Sequence, residues 1–280
     1  YFSALIANSD KWKGDGEQNQ RQLNAKVVVP VGSINLDAWY SFSFRAEQDY
    51  QDLSLEQINR LGYDWDNFGV NQYALALRVA DIANNRGETG APVSNAAAGT
   101  VYPGAITNVD DAYLDASGIR RDHLAYIGAH GDVGENGSFL IRGYYHNNKG
   151  QGLWGTPYVA SPTGVPYSIR TTEYAMDRTG IFASLTVPVA MTELTVGGWY
   201  ENNDFHQARR FYGLTSRTDV GRSFQTFQTN PFFTQWEYSF QTETLQYHVE
   251  DKINLGALTI NLGWKGFSVS NDATPIVAGS

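Results

Sequence analysis

Along much of its length the chain alternates apolar and polar residues with a period of two. Between residues 34 and 44, Ile34, Leu36, Ala38, Tyr40, Phe42 and Phe44 fall on one side, and Asn35, Asp37, Trp39, Ser41 and Ser43 on the other, with Arg45 continuing the polar phase. That period is the signature of a strand with two unlike faces. The preceding stretch sets Leu23, Ala25, Val27, Val29 and Val31 against Gln22, Asn24, Lys26, Val28 and Pro30. The pattern returns in hairpins at 121–133 with 138–147, and at 171–187 with 192–203. In the last hairpin, around residues 245–265, Leu258, Ile260, Leu262 and Trp264 oppose Thr259, Asn261, Gly263 and Lys265. With a leading strand at 1–8, the reading predicts nine strands.

The connections alternate as strictly as the side chains. Tight turns are expected at 31–33, 134–137, 188–191 and 254–257, and long polar connections at 9–20, 47–120, 147–168 and 204–235. Antiparallel strands of ten residues or more, joined by short turns at one end and long loops at the other, fit a transmembrane β-barrel, whose strands need about 9–11 residues to cross the bilayer. The expected fold is therefore an all-β, antiparallel transmembrane β-barrel segment with long extracellular loops, in which 1–280 is part of one outer-membrane β-barrel domain and 46–120 is a long loop with short helices. A soluble sandwich also alternates; it predicts that Leu36, Tyr40, Phe42, Leu258 and Leu262 are buried in a core.

Nine is an odd count, and an open sheet edge leaves backbone groups unpaired in lipid. The strands are therefore expected to be one section of a larger barrel, with 271–280 as a loop-like end. Residues 1–8 read as a strand rather than a secretory signal, which suggests a mature piece of polypeptide.

Composition narrows the picture modestly. Aromatics make up 14% of the residues, with 17 Tyr and 7 Trp, and there are 28 Gly, a mix suited to twisted sheet with interfacial girdles. The net charge of -9 disfavours nucleic acid as a partner. With no Cys, disulfides and thiolate metal sites are excluded. No apolar run is long enough for a transmembrane helix.

The segment 46–120 is too long for an ordinary connection and is expected to carry function. Ser54 is placed to cap a short helix with Gln57 completing a capping box, and Leu55, Ile58 and Leu61 give that helix an apolar side. Residues 70–84 also read as helical. In this segment Asp49-Tyr50-Gln51-Asp52-Leu53-Ser54, Arg60-Leu61-Gly62-Tyr63-Asp64-Trp65-Asp66 and Val109-Asp110-Asp111-Ala112-Tyr113-Leu114-Asp115 resemble the first large extracellular loop of certain TonB-dependent outer-membrane receptors. Gly118-Ile119-Arg120-Arg121-Asp122, Lys11-Trp12-Lys13-Gly14 and Gln20-Arg21-Gln22-Leu23-Asn24-Ala25-Lys26 are similar too. The likeness is best over 1–135.

The resemblance implies a barrel of about 22 strands, closed by a plug, that imports a scarce nutrient with energy supplied from the inner membrane. Neither the plug nor an aromatic closing strand lies in this sequence, which ends Val277-Ala278-Gly279-Ser280. The implied partners are membrane lipid and lipopolysaccharide, the remainder of the barrel and its plug, an inner-membrane energy-coupling protein acting through that plug, and a small-molecule ligand. A ferric siderophore would favour Arg with aromatics; a saccharide would favour Trp and Tyr platforms with Asn, Asp and Gln.

Candidate ligand-binding residues are Tyr50, Trp65, Trp154, Tyr158, His206, Arg209 and Arg210. The last three open a loop in this reading, where adjacent guanidinium forks beside Phe211 and Tyr212 suit an anionic or hydroxyl-rich ligand. The bland alternative is arginines paired with neighbouring Asp or with lipopolysaccharide phosphates. Trp154, Tyr158 and Tyr167 are candidates for an aromatic loop over the pore, with a girdle as the alternative for Trp154. Asp37, Arg45 and Glu201 are expected to face the lumen. Trp39 and Trp199 also fall on the polar phase, which means either lumen packing or a slip of phase.

No catalytic role, cofactor or metal site is assigned. Asp64-Trp65-Asp66 opens like a calcium loop, but Phe68 and Leu75 stand where oxygen ligands are needed. A looser calcium site from Asp110, Asp111 and Asp115, and a glycosidase pair from Glu201 and Asp204, are the remaining chemical options. Two other function classes stay open: a passive porin-like barrel, and a soluble carbohydrate-binding or hydrolytic β-domain.

Overall fold

The computed structural model describes residues 1–277. It contains a single antiparallel sheet of nine strands in strict chain order: β1 (Phe2–Asp10), β2 (Glu17–Val31), β3 (Ile34–Gln48), β4 (Leu114–Val133), β5 (Gly137–Thr156), β6 (Ser168–Val189), β7 (Thr192–Gly213), β8 (Phe233–Leu255) and β9 (Leu258–Pro275). Each strand pairs only with its sequence neighbours, so the sheet is unclosed among the described residues. The four tight turns fall where the sequence places them. Gly32, Gly134 and Gly256 supply positive φ at three of them, and Ala190 adopts φ 56° at the fourth.

The strands outrun the expectation. β4 to β8 are 20 to 23 residues long, about twice a bilayer crossing. Much of what reads as loop at 147–168 and 204–235 is therefore strand, and the connection after β1 shrinks to residues 11–16. Beyond the apolar band both faces turn polar, which erases the period-two signal while the hydrogen-bond ladder continues. The same correction applies to 271–275, which complete β9; residues 278–280 of the expected loop-like end lie outside the described residues.

The pleat sorts the side chains as expected. Val29, Leu36, Ala129, Ile141, Ala183, Gly198 and Tyr247 form one cross-strand row on the apolar face. Leu36, Tyr40, Leu258 and Leu262 are exposed, at 47%, 38%, 56% and 58%, so no sandwich core covers them. The opposite face is polar, and its side chains reach across an intervening strand. Arg142 of β5 meets Asp37 of β3 at 2.8 Å, above Gly128 of β4. Tyr144 of β5 bonds Glu201 of β7 across Gly180, and Arg120 of β4 bonds Tyr174 of β6 at 2.7 Å across Gly150. A Cβ at any of these glycines would collide with the overlying side chain.

The compact core lies outside the apolar band, where the helix-bearing loop packs on the sheet. α1 (Leu55–Leu61) has the Ser54–Gln57 capping box, but it buries none of its residues, and Leu55 is 80% exposed, contrary to the apolar side expected for it. α2 (Tyr73–Asn85), entered through a single 3-10 turn, is the central element. Its Ala76, Leu77, Val79, Ala80 and Ala83 are buried with Phe68, Val109 and Leu114. Ala46, Ile119, Leu153, Ile169 and Tyr212 supply the sheet side of this core. They share the pleat phase of the apolar face, so the helical unit continues that face above the band. Strand ends that would present bare apolar rims are covered this way.

Candidate functional site

The site is built where the polar face of the strand rim meets the loop carrying the helices. Trp154 of β5 and Arg170 of β6 are direct cross-strand partners, and the Arg170 guanidinium sits 3.9 Å from the Trp154 ring centroid. One strand further on, Arg209 shares the Arg170 face and lies 5.4 Å from the Trp236 ring. The Nε atoms of Arg170 and Arg209 are both buried without a hydrogen-bond partner. Asp49, Tyr50, Gln51, Asp52 and Tyr113 approach from the loop and close a cleft of about 350 Å³ over Trp154 and Arg170. Its wall thus offers one cation, a flat ring, phenols and carboxylates, which together suit a polar ligand with planar parts.

A second network fixes that loop. Asp111, whose side chain is wholly buried, receives Arg60 through Nη1 at 2.8 Å and Nη2 at 2.9 Å, together with the Thr107 backbone N–H at 2.8 Å. Burial alone would raise its pKa. The Arg60 guanidinium and the Thr107 N–H outweigh burial and hold the carboxyl below the ordinary aspartate value. Lys11 and Asp66 form another buried pair, with Lys11 also donating to the Asp49 carbonyl at 2.9 Å and Asp66 accepting from Gln51 N at 2.7 Å. Burial, then the neighbouring Glu47, raise the Asp49 pKa. Tyr113 donates to Asp110 at 2.8 Å, and burial pushes its phenol up to about 12, so it stays a neutral donor.

A third element is the connection 214–232. It leaves β7, and Arg217 pairs with the buried Asp81 of α2. It then runs back across the sheet. Ser117 donates to the Phe224 carbonyl, Gln228 N donates to Gln151 at 2.7 Å, and Asn19 donates to Gln225 at 3.0 Å. This strap joins β7 and β8 to the rims of β2 through β5.

The structure brings Tyr50 and Trp154 together in the cleft. Trp154 is therefore neither on a mobile loop nor in a girdle. Trp65 is part-buried, and its Nε1 donates to the Asp111 carbonyl at 2.8 Å, which makes it a strut of the loop. Tyr158 donates to Asp110 at 2.7 Å. Tyr167 is fully buried and bonds the Ala112 carbonyl at 2.8 Å, so it belongs to the core and not to a loop over the pore.

His206, Arg209 and Arg210 lie within β7 and do not open a loop. Their pleat separates them: Arg209 faces the cleft side, while His206 and Arg210 take the other face. There Arg210 bridges Glu173 at 2.9 Å and Glu237 at 2.7 Å, and His206 meets the same Glu237 oxygen at 2.7 Å. Arg210 is thus paired with acids, but with glutamates of β6 and β8 rather than with neighbouring Asp. Asp37, Arg45 and Glu201 all lie on the polar face of the sheet. Asp37 is tied to Arg142, Arg45 to Glu47, and Glu201 to Tyr144. Trp199 Nε1 donates to the Tyr144 hydroxyl at 2.8 Å and Trp39 packs on Tyr126, so the reading has no phase slip.

The looser chemical options fail on geometry. Asp110, Asp111 and Asp115 do not converge: they are used by Tyr113 and Tyr158, by Arg60, and by Gln48. Glu201 and Asp204 project from opposite faces of β7. Among the described residues no group of three His, Asp or Glu is placed to hold a metal ion.

An unclosed antiparallel sheet with an apolar face, a networked polar face and tall strand ends has the form of a section of outer-membrane β-barrel wall. It has the fold of the TonB-dependent receptors that the loop sequences resemble. Among solved structures the chain is similar to the ferric citrate transporter FecA in its unliganded form, with TM-score 0.64 and 14% identity, over 100% of this chain and 34% of that one. It is similar to FpvA of P. aeruginosa bound to heterologous pyoverdines, with TM-score 0.56 and 10% identity over 98% of this chain and 33% of the other. The siderophore receptor PiuA from Acinetobacter baumannii gives TM-score 0.56 and 10% identity over 100% and 39%. The chain thus spans about a third of the length of these proteins, and at these identities the likeness is one of fold. No family model matches the sequence, and no curated protein does.

Proposed function

We propose that this chain forms part of the wall and outer loops of an outer-membrane receptor, which captures a ferric siderophore and passes it inward with energy delivered through a plug. The observation that carries the reading is the Trp154–Arg170 stack, with Arg209 on the same face and unpartnered guanidinium Nε atoms beneath a loop rich in Tyr and Asp. Two half-buried cations are placed for a chelate that carries negative charge, and the indole gives a face for a planar chelating group. A neutral saccharide would leave those charges uncompensated. The wall does no covalent chemistry in this reading. Lipid on the apolar face, the plug on the polar face, the rest of the barrel along the open edges β1 and β9, and an inner-membrane energy-coupling protein acting through the plug are the partners that it entails.

The test is binding and growth with the full-length receptor that contains this chain. Intrinsic tryptophan fluorescence should be quenched by one or more ferric siderophores in a panel, and deletion should impair growth on the same compound under iron limitation. Trp154→Ala and Arg170→Ala should each weaken binding about tenfold or more, the value of a desolvated cation–π contact together with a charge-assisted bond. Quenching by oligosaccharides alone would move the assignment to sugar uptake. Import that persists without the inner-membrane energy supply would favour a passive barrel.

A further inference from the structure

The cleft over Trp154 holds charges of both signs that do not meet. Arg170 stands on its strand wall, and Asp49 and Asp52 stand on its loop wall. Among the described residues none of the three forms an ion pair within 4.0 Å. The lysines of the 11–16 connection are engaged elsewhere. Lys11 is buried against Asp66. Lys13 sits among three rings, its ammonium 5.4 Å from the centre of Trp12, 6.0 Å from Tyr50 and 5.8 Å from Tyr63.

The loop wall also carries an acceptor that nothing meets. Gln51 lies between the two aspartates, lines the cleft and is 7% exposed. Its amide nitrogen donates to the Asp110 carbonyl at 2.8 Å, while its Oε1 is buried without a hydrogen-bond partner. Its backbone N–H is committed to Asp66 at 2.7 Å, and the Tyr113 hydroxyl to Asp110 at 2.8 Å. Residues 49–52 therefore offer the cleft two carboxylates and an amide oxygen. Across from them the Arg170 Nε is a donor without an acceptor. Unmet buried polar atoms are costly and point to a missing partner.

We infer that the ligand of this cleft is zwitterionic: an iron chelate whose anionic planar part lies against Trp154 and Arg170, and which carries a primary-amine arm that donates to Asp49, Asp52 and the Gln51 Oε1. An ammonium is all donor and no acceptor, which is what the loop wall lacks. A chelate with negative charge alone would be attracted by Arg170 and repelled by the two aspartates. One molecule with both charges satisfies both walls. The inference rests on the receptor reading above and narrows its ligand to a chelate that bears an amine.

The experiment uses the full-length receptor that contains this chain and follows quenching of its tryptophan fluorescence. The probes are ferric catecholate, hydroxamate and hydroxycarboxylate chelates, each made with a free primary amine, with that amine acetylated, and with it succinylated so that the arm ends in a carboxylate. For the chelate type that binds, wild type should hold the amine form about tenfold or more tighter than the acetylated one, and the succinylated one most weakly. Asp49→Asn/Asp52→Asn should erase the preference and leave the acetylated form bound as in wild type. Asp52→Lys should reverse it in favour of the succinylated form, and Trp154→Ala should weaken all three forms alike. Equal affinity of wild type for the amine and acetylated forms overturns the inference, and so does a preference that survives in Asp49→Asn/Asp52→Asn. Should that variant lose the acetylated form too, Asp52→Lys decides, and no gain for the succinylated form overturns the inference. Binding of no ferric chelate at all refutes the receptor reading, whereas binding without an amine preference refutes this inference alone.

Discussion

Asp111 is the residue on which the outer loop turns, and its replacement by alanine has a calculable effect. Its side chain is fully buried and takes two bonds from Arg60, at 2.8 and 2.9 Å, and one from Thr107 N, at 2.8 Å. Breaking a buried ion pair from one side costs about 3–5 kcal/mol. Arg60 keeps Glu56 at 2.7 Å and the Ala105 carbonyl at 2.7 Å and is partly exposed, so the low end applies. At about 3 kcal/mol, local opening becomes roughly a hundredfold more frequent. Amide hydrogen exchange should therefore speed up by that factor in 54–62 and 105–112, while the strand ladders stay as protected as before. Arg60→Leu/Asp111→Leu should recover most of the protection, because a matched apolar pair removes both desolvation costs. Exchange within threefold of wild type in Asp111→Ala, or a double variant no better than the single one, would refute this account of the loop.

The pH dependence follows from the same carboxylate. Its folded pKa lies below the ordinary value of about 3.9, so its contribution is complete above that value and is lost as pH falls through the lower, folded pKa; the difference in loop protection between wild type and Asp111→Ala should be flat from neutrality to about pH 4 and then shrink. Gly180→Ala places a Cβ against the Tyr144 ring and should destabilise the wall by about 1–3 kcal/mol in a urea refolding titration into vesicles; an unchanged midpoint would mean that Tyr144 does not lie across that strand. Ile181→Lys on the apolar face should cost about 2–4 kcal/mol in the same assay if the residue sits near the bilayer midplane, and a neutral result would count against lipid contact there. Ser117→Ala together with Gln151→Ala removes two strap anchors and should raise proteolysis within 214–232 without altering β4 or β5; resistance equal to wild type would show the strap is held elsewhere.

The strands and their faces were legible because Leu36 with Asp37, or Val196 with Gly197, carry opposite characters at successive positions. Legibility ended where the outer face stops being apolar. Arg121, Lys149 and Glu173 occupy outward positions of β4, β5 and β6, and with no hydrophobic contrast those rungs resemble loop. That loss hid Arg170. Only once β5 is known to run to Thr156 does Trp154 acquire a partner in register, and the stack can then be foreseen. The same loss made His206, Arg209 and Arg210 look like one patch, whereas the pleat divides them. Local chemistry was read correctly at Ser54 and Gln57, since a capping box needs no tertiary context. Lys11 with Asp66 and Arg217 with Asp81 join residues 55 and 136 positions apart, and no spacing rule announces such a pair.

The strap has a consequence for how the molecule comes together. Every rung of the sheet joins strands adjacent in the chain, so the wall can zip progressively from hairpin to hairpin. Gln225 and Asn19 are 206 positions apart, and their bond needs every intervening strand to be in its proper place. A one-residue slip anywhere between β2 and β7 would carry Asn19, Ser117 or Gln151 out of reach or onto the wrong side. The clasp therefore fastens last, and it fits only a wall whose rungs were all laid in true alignment.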